Sequence, residues 1–271
     1  MSCHLGLSRL PVSLATLRDV MKKLTAIIPT GNEEHNIEEV IKSVSFADEI
    51  LVVDSFSKDH TVEIANKLAH RVIQREYNNS ASQKNWAIPQ ASHEWILLVD
   101  ADEGVTPELK AEVQQILSQE EEPFVAYTIF LNEHFMGQRM YYSSLQGNNA
   151  IRLFKRDKCR YEEKHVHADI IADGPVGIMK NKFNHHTYRD FDTFISKLNR
   201  YAWWQARDYE KKVGKITIVH VIFKPFFRFC KHYVFRLGFL DGFAGFAYAY
   251  TQSYAVMTRY IKLWLLRKGL K

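Results

Sequence analysis

Five apolar residues, Trp95-Ile96-Leu97-Leu98-Val99, run without a break into Asp100-Ala101-Asp102-Glu103. An apolar run of that length, rich in Ile, Leu and Val, reads as a buried strand. Such a strand lies inside a sheet, and its carboxylates are released only where the sheet ends. In open α/β sheets, ligands bind beyond the carboxyl ends of the strands. Two Asp at i and i+2 can share one divalent cation, directly or through water, and Mg²⁺ or Mn²⁺ favours such hard oxygen ligands. The plainer reading is an acidic turn in solvent, because Asp-x-Asp is a common pattern.

The segments upstream narrow the choice. Leu24–Pro29, Glu49–Asp54 and Arg71–Gln74 read as further strands. Between them, Glu33–Val44, Thr61–Ala69 and Ala81–Ala91 carry apolar residues at helical spacing, and Thr106-Pro107 opens another helix that runs to about Leu117. Strand alternating with helix predicts an α/β fold, a mostly parallel sheet flanked by helices. After Pro123 the rhythm changes. Phe124–Leu131, Ala150–Phe154 and Val176–Phe183 read as strands without regular helices between them, an α+β extension packed on the sheet. Phe191–Lys212 reads as a helix. Residues 215–268 predict two or three helices, interrupted around Gly238, Asp241-Gly242 and Gly245.

Charge is unevenly spread. Residues 220–271 hold nine Lys or Arg and a single acid, Asp241, and 14 of the 35 aromatic residues, so the last fifth of the chain is both cationic and aromatic. That combination fits an anionic surface, either a membrane or a nucleic acid. No nucleic-acid-binding motif accompanies it, so a nucleic-acid partner is not expected. The longest uncharged stretch, Gly242–Thr258, is shorter than the ~20 apolar residues of a membrane span and contains Thr, Gln and Ser. Residues 1–20 lack the pattern of a signal peptide, and Met21-Lys22-Lys23 looks like a natural start, so 1–20 is read as an unstructured extension. Cys3, Cys159 and Cys230 are too few and too scattered for a disulfide framework and fit a reducing compartment.

Three loops follow three of the strands: Pro29-Thr30-Gly31-Asn32-Glu33-Glu34, then Asp54-Ser55-Phe56-Ser57-Lys58-Asp59-His60-Thr61, then Asp100-Ala101-Asp102-Glu103. In this order they resemble the family 2 glycosyltransferases, inverting enzymes of the GT-A fold. The likeness covers roughly residues 24–200. It extends to the lipopolysaccharide core β-glucosyltransferases through Asn148–Arg156, His165-Val166-His167, His185-His186-Thr187 and Gly238–Gly242. The resemblance implies residues 21–123 as the nucleotide-sugar-binding half and 124–214 as the acceptor-side half of one domain. The tail, 215–271, would then associate with the inner face of the cytoplasmic membrane.

It also implies roles. Thr30, Glu33 and Asp54 match positions lining the nucleoside, and Asp100 one that touches ribose or nucleotide. Lys84, in Ser82-Gln83-Lys84-Asn85, matches a phosphate contact. Asp102 matches the ligand of a Mn²⁺ or Mg²⁺ cofactor, with His185 near the diphosphate. The donor would be a UDP-sugar, most simply UDP-glucose. The acceptor would be a cell-envelope glycan or glycolipid such as lipopolysaccharide core. An inverting transfer needs a group to take the acceptor proton. Relatives have Val-His-Glu where this chain has Val166-His167-Ala168, so Asp169, His167 and Glu103 stand as alternative bases. The missing Glu also keeps open a catalytically inactive GT-A protein that binds a membrane surface. A nucleotidyltransferase would need a Gly-rich basic phosphate loop after the first strand, which Pro29–Glu34 is not.

Overall fold

The computed structural model describes residues 21–145, 147–162, 169–188 and 191–270. The expected early strands form: β1 (Leu24–Thr30), β2 (Glu49–Asp54), β3 (Arg71–Gln74) and β4 (Trp95–Leu98). Every residue of β2 and β4 is buried, as continuous apolar runs require when both faces of a sheet are covered. β1 pairs in parallel with β2 and β4, and β2 with β3. Between them lie α1 (Ile37–Ser43), α2 (Thr61–Leu68) and α3 (Ser80–Ala87). Asn79 caps α3, its side chain accepting from the Ser82 N–H at 2.8 Å. Pro89 then tightens the chain into a 3₁₀ turn at Ile88–Gln90, so the helix stops short of the expected Ala91.

The acidic tetrapeptide leads into β5 (Glu103–Val105) and α4 (Pro107–Leu117). Thr106 caps α4 through its side chain, with Pro107 in the first turn. The later strands are β6 (Ala126–Phe135), β7 (Gln138–Arg139), β8 (Asn149–Lys155), β9 (Cys159–Tyr161), β10 (Ile170–Ala172) and β11 (Val176–Tyr188). Expected as an extension packed on the sheet, they mostly extend it. β8 joins β4 antiparallel, and the order is β3-β2-β1-β4-β8-β6-β11-β5, with β7 on β6. Edge-on addition satisfies the backbone groups that β4 would otherwise leave unpaired. Only β9 and β10 form a separate pair.

The helices that follow are α5 (Phe191–Glu210), α6 (Lys224–Cys230), extended by π-helical turns at Val219–Phe223 and Lys231–Phe235, and α7 (Gly242–Arg267). No helix among the described residues is long and apolar enough to cross a membrane. The chain divides into two compact units, interleaved in sequence. Among the described residues, the first comprises those of 21–101, Val105–Ile129 and Ala150–Asn181; the second comprises those of Asp102–Gly104, Phe130–Asn149 and 182–270. The first is centred on Ile27, Leu51, Val53, Ile88, Ile96 and Phe154. The second has one core around Phe135, Met140, Phe194 and Tyr248 and another around Ala206, Val256, Tyr260 and Leu263.

Candidate active site

In the first unit, parallel register aligns the carboxyl ends of β1 and β2 and puts Thr30 beside Asp54. The loops beyond are laced together. The Asn32 N–H donates to Ser57 Oγ at 2.7 Å, and Asn32 Oδ1 accepts from the Lys58 N–H at 2.8 Å. The Glu33 N–H donates to Thr61 Oγ1 at 2.7 Å, and the Glu34 N–H to Asp59 Oδ2 at 3.2 Å. Asn32 and Phe56 both take left-handed backbone to make these crossings. The Asn, Ser, Asp and Thr of the two loop motifs thus serve one another as backbone partners, which accounts for short polar residues at that spacing.

Asp54 is wholly buried. Its carboxylate accepts from the Ser57 N–H at 3.0 Å, from the Ser57 hydroxyl, and from Gln74 Nε2 at 2.8 Å. Glu33 Oε2 accepts from Asn36 Nδ2 at 2.7 Å. Thr30 is also buried, yet its hydroxyl has no hydrogen-bond partner among the described residues. An orphaned buried hydroxyl at a strand end is unusual and fits a position completed by a ligand.

Asp100 stands at the end of β4 between two cations. Lys84 Nζ lies 2.8 Å from Oδ1 and Arg152 Nη2 2.7 Å from Oδ2. Burial works against the carboxylate charge, but Arg152 and Lys84 outweigh it and hold Asp100 far below the usual range. Lys84 is buried; burial opposes its charge, and Asp100 more than restores it, so its pKa lies above the ordinary value. The Tyr161 ring lies 5.5 Å from Lys84 Nζ. The neighbouring Asn85 pins β9, its amide donating to the Tyr161 carbonyl and accepting from the Tyr161 N–H, both at 2.8 Å.

In the second unit, Asp102 Oδ2 lies 3.4 Å from His185 Nε2, and His185 Nδ1 lies 2.8 Å from Glu133 Oε2. Asn148 Nδ2 donates to the other Glu133 oxygen at 2.8 Å. The His186 N–H donates to the Asp102 carbonyl at 2.8 Å, and the His186 ring lies tilted against His134 with centroids 4.4 Å apart. Burial disfavours charge on His185, but the flanking Asp102 and Glu133 dominate and push its pKa up to about 10. Glu133 fixes the orientation of the ring, as carboxylates behind metal-binding histidines do. Glu103 is also buried. Asp169 is exposed, beside β10, its N–H donating to Glu162 Oε2 at 3.4 Å. His167 and Ala168 lie outside the described residues, as do residues 1–20.

Among the described residues no group of three or more His, Cys, Asp or Glu is arranged to hold a metal on its own. Mg²⁺ and Mn²⁺ do not require one, because they bind through one or two protein ligands plus substrate phosphates. Asp102 supplies a hard oxygen and His185, once it gives up the proton that its two carboxylates hold on it, an imidazole nitrogen, a donor set that fits Mn²⁺ and, through the carboxylate, Mg²⁺.

Arg152 and Glu133 carry much of this geometry; Arg152 entered the sequence reading only as part of Asn148–Arg156, and neither was given a site role there. Glu133 left a signal. In β6 the buried positions alternate as Ile129, Leu131, Glu133 and Phe135, so an acid occupies the apolar face. Arg152 similarly begins the buried run Arg152-Leu153-Phe154 of β8.

A sequence model described as "Glycosyl transferase family 2" matches residues 25–172. An uncharacterized glycosyltransferase of Rickettsia typhi is 28% identical over 254 residues, 90% of this chain and 87% of the relative. The lipopolysaccharide core biosynthesis glycosyltransferase LpsC of Rhizobium meliloti is 26% identical over 252 residues, 88% of this chain and 93% of LpsC. Among solved structures, S. aureus TarS 1–349 in complex with UDP-GlcNAc aligns with a TM-score of 0.44 at 15% identity, over 92% of each chain.

Proposed function

The chain belongs to glycosyl transferase family 2, and from that premise we propose that it is a metal-dependent, inverting hexosyltransferase. It moves a hexose, glucose in the simplest case, from a UDP-sugar to a saccharide of the cell envelope. The observation that carries this reading is the ordered Asp102–His185–Glu133 row directly after the clamped Asp100. Similarity to LpsC along nearly its whole length supports a lipopolysaccharide-core acceptor.

In this reading Thr30 offers its unpaired hydroxyl to the nucleoside, and Glu33 and Asp54 hold the loops that shape that end of the site. Asp100, fixed by Lys84 and Arg152, presents its carboxylate edge to the ribose. Lys84 has three N–H donors, so one on Asp100 leaves others for the diphosphate. Asp102 and His185 would hold Mn²⁺ or Mg²⁺. When bound, that cation offsets the negative charge that grows on the departing diphosphate. Asp169, exposed and ionisable, takes the acceptor proton in preference to the buried Glu103. The protein works at the inner face of the cytoplasmic membrane, where a glycolipid acceptor is assembled.

The test is a panel of UDP- and GDP-sugars, followed by nucleotide release with and without Mn²⁺, Mg²⁺ and a chelator. The reading expects cation-dependent release of UDP from UDP-glucose, enhanced by a lipopolysaccharide-core acceptor. Release of neither UDP nor GDP from any donor would favour the inactive binding protein instead.

A further inference from the structure

The helix before α7, α6 with its flanking π-helical turns, is turned inside out for a protein surface. Ile218, Val219, Ile222, Phe223, Phe226 and Phe227 fall in pairs four residues apart, and every one is exposed. In an α-helix a four-residue repeat drifts by about 40° at each step. Here π-helical turns at Val219–Phe223 and Lys231–Phe235 take more residues per turn and absorb that drift. The pairs therefore form one stripe, continued by Val234 and the 69% exposed Phe235. The opposite side, with Pro225 and His232, is the buried one. Phe243, 82% exposed, adds a large ring at the start of α7.

Aromatic contacts brace this helix against α7. Phe246 of α7 packs edge-on against Phe229 and Tyr233, both at 5.8 Å. The outward rings are thus presented by a braced scaffold. Residues 218–250 hold 14 of the 28 large apolar side chains exposed in the described chain, far above what scattered surface hydrophobics produce. Arg228, Lys231 and Arg236 are interleaved with them. The single acid of residues 220–271, Asp241, is buried and accepts from the Tyr141 and Tyr142 N–H groups, so the exposed ionised side chains of this segment are all cationic.

We propose that this stripe is a monotopic membrane anchor that inserts its aromatic side chains, led by Phe223, Phe226, Phe227 and Phe235, into the interface of an anionic phospholipid bilayer. The inference deepens the membrane location of the proposed transferase and rests on that reading for its biological setting. Charge decides the occupant. A second copy would bring Lys231 and Arg236 against like charges, whereas anionic headgroups complement them. The segment would lie in the interface plane, rings inward and cations at headgroup level.

The test is sedimentation of the full chain with phosphatidylcholine vesicles and with phosphatidylcholine–phosphatidylglycerol vesicles. Wild type should bind the anionic vesicles and bind the neutral ones less. Phe223→Ser, Phe226→Ser and Phe227→Ser together should weaken anionic-vesicle binding by about tenfold or more. Lys231→Gln with Arg236→Gln should remove about tenfold of the preference for anionic lipid. Equal sedimentation of wild type and the Phe variant would overturn the proposal. So would a wild-type dimer in light scattering that the Phe substitutions dissolve without any vesicle binding, since the stripe would then join two copies. UDP release from a soluble donor, measured on the same preparations, judges the transferase reading separately and should be unchanged in both variants.

Discussion

Asp100 is the residue whose surroundings are most committed. Its two oxygens are each taken by a largely buried cation, Lys84 at 2.8 Å and Arg152 at 2.7 Å. Removing one partner of such a cluster strands the others, so Asp100→Ala should lose about 3 kcal/mol of unfolding free energy in urea. An unchanged midpoint would mean the cluster contributes nothing to the fold. Glu49 makes a second case. It is buried, and burial opposes its charge. Hydrogen bonds from the Ser92 N–H, Arg71, Thr25 and the Ser92 hydroxyl overcome this and bring its pKa from 4.5 to about 2. A depressed carboxylate stabilises fully above its ordinary pKa, and that contribution fades as pH falls from about 4.5 to about 2. Glu49→Gln should therefore be about 3 kcal/mol less stable than wild type at neutral pH, with the gap closing across that acid window in denaturation curves. The acids of the tetrapeptide were legible because an apolar run ended on them. Glu133 was not, because its meaning depends on which face of β6 is buried, and its partner His185 is 52 residues away.

At the scale of elements, α7 approaches the turn before it more closely than side chains allow. A Cβ on Gly245 would lie 1.8 Å from the Gly238 carbonyl oxygen. Gly245→Ala should therefore destabilise the chain by about 3 kcal/mol. Gly214→Ala, where nothing lies within 4 Å, serves as the neutral control. Thermal melts of the two variants that shifted equally would contradict the close packing. The Gly238–Gly245 cluster was readable as an interruption or a close approach. The lengths of β6 and β11 were not. Asn132-Glu133-His134 and Asn184-His185-His186 look like loop composition, yet both are strand. Polar residues are tolerated there because they satisfy one another: Glu133 bonds Asn148 and His185, and the His134 ring packs against His186. The catalytic reading needs that extension, since it carries His185 to Asp102.

For the whole molecule, the α/β class and the first four strands follow from local patterning, because each strand and helix announces its own period. The strand order beyond β4 does not. β8 on β4 and β11 beside β5 are pairings between distant segments, set by register and edge satisfaction. The aromatic, cationic character of the tail was visible in composition, but the outward direction of its rings was not, because only the π-helical turns align them. The proposed chemistry turns on a cation held at Asp102 and His185 for a nucleoside diphosphate. Titration calorimetry of UDP with and without Mn²⁺, on wild type and on Asp102→Asn, tests it most directly. Mn²⁺ should tighten UDP binding to wild type by about tenfold or more. Asp102→Asn should bind UDP equally weakly with and without the cation. Equal, Mn²⁺-enhanced affinity in both proteins would contradict it.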